Sequence, residues 1–244
     1  MQQILITGVS SGIGHALASE YLSRGARVYG TSRRSPDDLT SHEAFRFVPM
    51  DLTAFDDVEA GFKRLLEGVD ELDLVVCNAG ILGPFGDMAE QSLADMKHVL
   101  DVNLWANKVV LDAIYRQVER VRQVVTISSG AAVNGHRGWG GYALSKAALN
   151  MLTMLYAAEQ PDTHFCALAP GVVETSMQDY LNGLPEDERY PSLDSLRSKR
   201  DTSDMPSPEE LAPRLVDVMH QLPERVQSGQ FADIRKPPLA GANG

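Results

Sequence analysis

The sequence predicts an α/β fold: one doubly wound domain built on a seven-stranded, mostly parallel sheet with helices on both faces. Three observations predict it. Short β-rich runs, apolar along their whole length, alternate with longer helix-like segments. A glycine-rich turn, TGVSSGIG (7–14), joins the first such run to the first helical one. No linker or internal repeat divides the 244 residues. Fully apolar strands suit burial on both faces, and intervening helices supply the crossovers that parallel strands need. In such folds ligands bind at the carboxyl ends of the strands.

The elements follow in order. QILIT (3–7) is the first strand, stopped by Gly8. The next segment (12–25) is a helix between glycines, with Ile13, Leu17, Tyr21 and Leu22 on one stripe. ARVYGTS (26–32) and FRFVPM (45–50) are strands two and three, and 55–68 is a helix. LDLVVCN (72–78) is strand four, followed by one long helix over 92–118. QVVTISS (123–129) is strand five, 141–160 a helix, and THFCALAPG (163–171) strand six. A late helix (208–222) and GQFADI (229–234) complete the pattern. Residues 176–206 are polar, carry Pro185, Pro191 and Pro206, and are long for a loop, which suggests a lid.

Composition excludes several classes. Twenty-two basic residues against 33 acidic ones leave a formal charge of −11, and the densest basic pair is Arg33–Arg34. A nucleic-acid binder would carry a basic stripe. No apolar run approaches the roughly 20 residues of a membrane span. Met1 leads directly into QQILITG, without the pattern of a signal peptide. Cys77 and Cys166 sit in separate apolar runs, so buried reduced thiols are expected, which suits the cytoplasm. Neither they nor the six histidines form a metal-ligand pattern.

Two motifs carry chemistry. In the turn after strand one, Gly8, Gly12 and Gly14 let the backbone bend tightly and approach a pyrophosphate. Gly8, Ser10, Ser11, Gly12 and Ile13 then form a cradle at the positive end of the first helix. In YALSK, Tyr142 and Lys146 lie four apart on one helix face. An ammonium beside a phenol favours phenolate. Bringing a phenol from about pH 10 to about 7 takes roughly 4 kcal/mol. Such a pair makes an acid useful near neutrality, or else an ordinary solvated helix face.

TGVSSGIG, NAG at 78–80, Ser129 and YALSK, taken in order, resemble the short-chain dehydrogenase/reductase family. The motifs run from Thr7 to Thr175, and the layout matches to the last strand. The resemblance implies a Rossmann-type domain that binds NADP(H) and reduces a carbonyl, a ketone or diketone, by hydride transfer. Tyr142 is then the general acid, Lys146 its partner and ribose ligand, and Ser129 the holder of the substrate oxygen. Asn103 is the fourth member, through a carbonyl that anchors a water leading to Lys146.

The family's usual acid after strand two is replaced by Ser32 and Arg33, with Arg34 beside them, which implies a bound 2′-phosphate and preference for NADP(H). Ser11 departs from the basic residue that many NADP-using relatives carry before the second glycine. Asp51 is expected at the adenine amino group, with Leu52 against the ring. Asn78 is expected to brace the sheet, while Ala79 and Gly80 leave room for the cofactor. Pro170 and Gly171 shape a turn beneath the nicotinamide, and Val173 and Thr175 contact its carboxamide. The segments 80–86, 134–142 and 176–206 are expected to wall the substrate pocket, with Phe85 and Trp139 stacking on a flat carbonyl compound under Met177, Tyr180 and Leu181. Helices 92–118 and 141–160 are expected to pair with other copies in a homodimer or homotetramer. The alternative function is a non-catalytic NADP(H)-binding sensor or scaffold. A sugar-nucleotide epimerase is less suited, because little chain follows Thr175.

Overall fold

The computed structural model describes residues 1–241. Among the described residues nine strands form: β1 (Gln3–Thr7), β2 (Arg27–Ser32), β3 (Phe45–Pro49), β4 (Glu71–Leu72), β5 (Leu74–Cys77), β6 (Arg120–Val121), β7 (Gln123–Ile127), β8 (His164–Ala169) and β9 (Phe231–Asp233). The helices are α1 (Gly12–Ser23), α2 (Asp37–Thr40), α3 (Phe55–Leu65), α4 (Leu93–Leu100), α5 (Ala106–Gln117), α6 (Gly140–Glu159), α7 (Ser176–Asn182), α8 (Pro191–Arg197) and α9 (Pro208–Arg225). Seven strands make the main sheet, in the order β3-β2-β1-β5-β7-β8-β9. All of its described pairings are parallel.

Side chains alternate across each strand and divide the core in two. On one face Ile4, Ile6, Val28 and Val76 pack with Leu17 and Tyr21 of α1 and Leu215 and Met219 of α9. On the other, Leu5, Tyr29 and Val75 pack with Phe62 of α3, Val110 and Ile114 of α5, and Tyr156 of α6. This two-faced burial is why the strands read as apolar throughout. Among the described residues no helix is long and apolar enough to cross a membrane.

The structure departs from the sequence reading in four places. The fourth strand breaks at Asp73, whose carboxylate accepts the Gln3 N–H at 2.8 Å; Leu72 turns aside to pair with Val121 in a two-stranded ribbon. The helix over 92–118 is not continuous: a π-turn, Asp101–Trp105, separates α4 from α5. Residues 176–206 contain α7 and α8, the latter started by Pro191, whose missing N–H costs nothing at a first helical turn. Helix α9 runs on to Arg225, set at its start by a reciprocal Ser207–Glu210 cap.

The register places the carboxyl strand ends in a row: Thr7 beside Thr31, Cys77 beside Thr126, Ile127 beside Leu168 and Ala169 beside Asp233. One residue ties the first two central ends. Thr7 Oγ1 accepts the backbone N–H groups of Asn78 (3.0 Å) and Ala79 (3.1 Å). The Asn78 amide in return donates to the carbonyls of Thr7 (2.9 Å) and Gly8 (3.2 Å). Thr7→Val, which keeps shape but leaves both N–H groups unpaired, is expected to lower unfolding free energy by about 2 kcal/mol. Urea denaturation monitored by circular dichroism reads this directly.

Candidate active site

Three loops meet at the carboxyl edge of the sheet. The first is the glycine turn. Gly8 holds φ +78°, and a Cβ there would lie 2.9 Å from the Asn78 amide and 3.0 Å from the Ala79 Cα. A Cβ on Gly14 would come within 2.3 Å of the Gly8 carbonyl oxygen. Only glycine lets these backbones close. Ser11 stands extended at the start of α1 and makes no side-chain capping bond. The first-turn N–H groups of α1 thus lack a side-chain cap, an arrangement suited to phosphate oxygens. Thr175, distant in sequence, lies beside Gly12. Thr175 begins α7, also without a side-chain cap; Val173 is buried, and Gly171 takes φ +84°. The cradle residues and the Pro170–Thr175 turn are therefore brought together.

At the end of β2, Arg33 and Arg34 are exposed. Ser32 is buried, and its hydroxyl donates to the Arg34 carbonyl at 2.6 Å. Its proton is engaged within its own turn, which leaves the two guanidinium groups as the free donors at this end. Asp51 follows β3. Hydrogen bonds from the Thr53 hydroxyl (2.7 Å) and N–H (3.0 Å) hold its carboxyl below the ordinary range, with a smaller contribution from the Arg33 charge. Leu52 beside it is buried.

The third region gathers the polar residues of β7, α6 and the π-turn. Asn103 is fully buried. Its amide donates to the Ile81 carbonyl (2.8 Å) and to Ser145 Oγ (2.9 Å), while its side-chain oxygen accepts the Ile81 N–H (2.8 Å). Ser145 Oγ donates onward to the Tyr142 carbonyl at 2.7 Å. These bonds pull the helix toward the loop after β5 and account for the π-turn. The Asn103 main-chain carbonyl accepts from the Asn107 amide at 2.8 Å. Neither Asn103 oxygen is therefore without a protein donor, and the expected water relay has to share one.

Lys146 is 4 % exposed. Its Nζ donates to the Ile127 carbonyl at 2.8 Å and stands 5.7 Å from the centre of the Tyr142 ring. A side chain at Gly80 would fall 3.1 Å from Asn103 Oδ1 and 3.5 Å from Lys146 Nζ, so glycine leaves this corner open. Burial brings the Lys146 pKa down to about 8. At Tyr142 two influences oppose one another. Burial raises its pKa, and the opposing influence is a hydrogen bond with Ser129, not the ammonium. Ser129 Oγ also accepts the Ala131 N–H at 3.1 Å. Ser128 points the other way, donating to Asn150 at 2.6 Å.

Aromatic rings close the outer side. Phe85 meets Trp139 edge-on at 5.4 Å, and also Tyr190 at 4.9 Å. Sequence reasoning missed Tyr190; the one signal was an aromatic residue inside a polar, proline-bearing stretch. It is 7 % exposed, and the guanidinium groups of Arg137 (5.8 Å) and Arg189 (5.1 Å) stand over its ring. Both arginines pair with Asp87. Trp139 donates to Ser192 at 3.0 Å. Met177 and Leu181 join this cluster, whereas Tyr180 is 44 % exposed.

Comparison with known proteins follows the same lines. Residues 2–184 match the short chain dehydrogenase family. The chain is 29 % identical over 248 residues to benzil reductase ((S)-benzoin forming) of Bacillus subtilis, covering 97 % of this chain and 99 % of that one. It is 30 % identical over 260 residues to a benzil reductase ((S)-benzoin forming) of Saccharomyces cerevisiae, with 98 % of each covered. The crystal structure of a short chain dehydrogenase/reductase from the same yeast superposes with a TM-score of 0.86 at 26 % identity, covering 98 % of each chain.

The depressed Lys146 pKa makes stability depend on pH. Between about 8 and 10.5 the unfolded chain holds a proton on this amine that the folded chain has released, so folding is favoured as pH rises through that window. The burial penalty is fully present below pH 8. Lys146→Met is therefore expected to unfold at higher denaturant than the parent at pH 7, by up to about 3 kcal/mol, with the difference shrinking toward pH 10. Paired denaturation curves at the two pH values measure it.

Proposed function

The chain belongs to the short chain dehydrogenase family, and on that premise we propose that this oxidoreductase uses NADPH to reduce a ketone or diketone to an alcohol. The observation that carries the reading is the meeting of Tyr142, Ser129 and Lys146 at the same strand edge as the glycine cradle. The cradle fits a dinucleotide. Its glycines leave no room for side chains, and the start of α1 lacks a side-chain cap. Gly8, Ser10, Ser11, Gly12 and Ile13 would hold the pyrophosphate. Asp51 and Leu52 would hold the adenine, Ala79 and Gly80 would leave room for the cofactor, and Pro170, Gly171, Val173 and Thr175 would flank the nicotinamide. Arg33, assisted by Arg34, would pair with a 2′-phosphate; the position right after β2 carries this arginine and not a carboxylate. Ser32 contributes through its backbone turn, since its hydroxyl is engaged.

Bound NADPH supplies the hydride that the substrate carbonyl carbon receives. Ser129 holds the carbonyl oxygen against the phenol, and Tyr142 gives that oxygen a proton. Lys146 binds ribose hydroxyls and, with its pKa near 8, returns a proton to the phenolate. Asn103 is a positioning residue, fixing α6 to the loop after β5 through Ser145 and Ile81. The aromatic wall of Phe85, Trp139 and Tyr190 favours flat, apolar carbonyl compounds, with 176–206 as the lid. Reduction of 1,2-diketones such as benzil agrees with the names of its two relatives.

An exposed stripe on α6 (Leu144, Met151, Met154 and Leu155), with Trp105 nearby in sequence to α5, supports a homodimer or homotetramer. Buried free thiols at Cys77 and Cys166 suit a reducing compartment, the cytoplasm.

A panel of ketones and diketones followed by NADPH absorbance tests the function. Tyr142→Phe should lower kcat at least about 100-fold while NADPH still binds. Arg33→Ala should weaken NADPH about tenfold or more and leave NADH unchanged. Cofactor binding without turnover on any substrate would indicate a sensor or scaffold instead. Light scattering at micromolar concentration should give at least a dimer mass; a monomer rejects the assembly.

A further inference from the structure

Beyond the residues assigned so far, one cation stands at the same edge. Strands β7, β8 and β9 are neighbours, and their carboxyl ends release Ser129, Gly171 and Arg235 respectively. Asp233, the last residue of β9, has a side chain only 3 % exposed. Burial alone would raise its pKa; the Arg235 bonds outweigh that and hold it below the ordinary range. Arg235 donates from Nε to Oδ1 (2.9 Å), from Nη2 to Oδ2 (2.7 Å) and from its backbone N–H to Oδ1 (2.9 Å). The guanidinium plane is thus fixed by a two-point fork.

That fork aims Arg235 across two glycines. A Cβ on Gly171 would lie 3.3 Å from Arg235 Cδ, and one on Gly130 would lie 3.7 Å from its Nη2. The arginine therefore crosses the turn assigned to the nicotinamide and ends beside the residue after Ser129. Its Nη1 has no protein partner among the described residues, and the side chain is 45 % exposed. A charged donor, Nη1, is thus left unpartnered on a fixed side chain that passes Gly130, the sequence neighbour of Ser129.

We propose that Arg235 is a specificity-determining residue that holds the second oxygen of a 1,2-dicarbonyl substrate through Nη1 while Ser129 and Tyr142 hold the first. The assignment rests on the carbonyl-reductase reading of the site. A monoketone offers Arg235 nothing, so the arginine separates the two classes. A purely structural clasp between Arg235 and Asp233 would not.

The test compares 1-phenyl-1,2-propanedione with propiophenone, which lacks the second oxo group, on the full chain with NADPH. Arg235→Lys and Arg235→Gln are measured, together with Asp233→Asn/Arg235→Gln, which leaves no unpaired buried carboxylate. The kcat/KM for the diketone is expected to fall about 10- to 100-fold, mainly through KM, with propiophenone turnover unchanged. NADPH affinity by fluorescence should not move. Equal loss on both ketones, or lowered thermal stability with an unchanged ratio, would overturn the inference and leave the reductase reading standing. If the parent enzyme reduces neither ketone nor any other carbonyl, both readings fall together.

Discussion

A buried ammonium must be surrounded by oxygen or it gives up its proton, and Lys146 sets that demand on this fold. The Ile127 carbonyl meets part of it, at the point where β7 ends. The rest of the neighbourhood is arranged so that the amine has no competitor for the space. Gly80 withholds a side chain, Asn103 turns its amide toward Ile81 and Ser145, and the helix carrying Asn103 loosens into a wider turn to do so. Removing water from this corner raises the phenol as well as lowering the amine. The two groups, close in pKa when free in water, are thereby driven apart, and the amine becomes the stronger acid.

Much of this was legible in the sequence because it follows from short-range rules. Apolar strands between amphipathic helices specify a two-faced parallel sheet, and QILIT followed by glycines places the cradle at its centre. Helical spacing puts Tyr142 and Lys146 on one face, and the ordered motifs around them mark that face as a candidate site. What was not legible arises from contacts between segments far apart in the chain. The π-turn exists because Asn103 bonds to Ile81; nothing local in LDVNLW distinguishes it from ordinary helix. The sense of the Tyr142 shift depends on how much water is excluded, which spacing does not encode. Helices α7 and α8 lie in a polar stretch whose prolines read as loop, although Pro191 in fact starts a helix. Tyr190 and Arg235 acquire meaning only from the rings, glycines and carboxylate that tertiary structure brings to them.

The outer wall is built on a different principle from the inner corner. Inside, hydrogen bonds and glycines fix positions closely. Outside, Arg137, Arg189, Asp87 and Asp187 form exposed ion pairs around Tyr190, and such pairs contribute little individually. The apolar contacts of Tyr190, Leu181 and Leu193 carry more of the closure. The attachment of this segment therefore rests on its apolar contacts more than on its ion pairs.

The sheet order has a consequence for biosynthesis. Strand β9 lies at the sheet edge beside β8, and the segment that reaches Gly130 and Gly171 follows it. A nascent polypeptide can lay down the glycine turn and the tyrosine helix early, but this border of the cleft stays unmade until Arg235 has left the ribosome. Until then the β8 flank has unpaired peptide groups that could recruit a neighbouring strand. Translation that stalls after the α9 codons should yield a sticky, chaperone-dependent species.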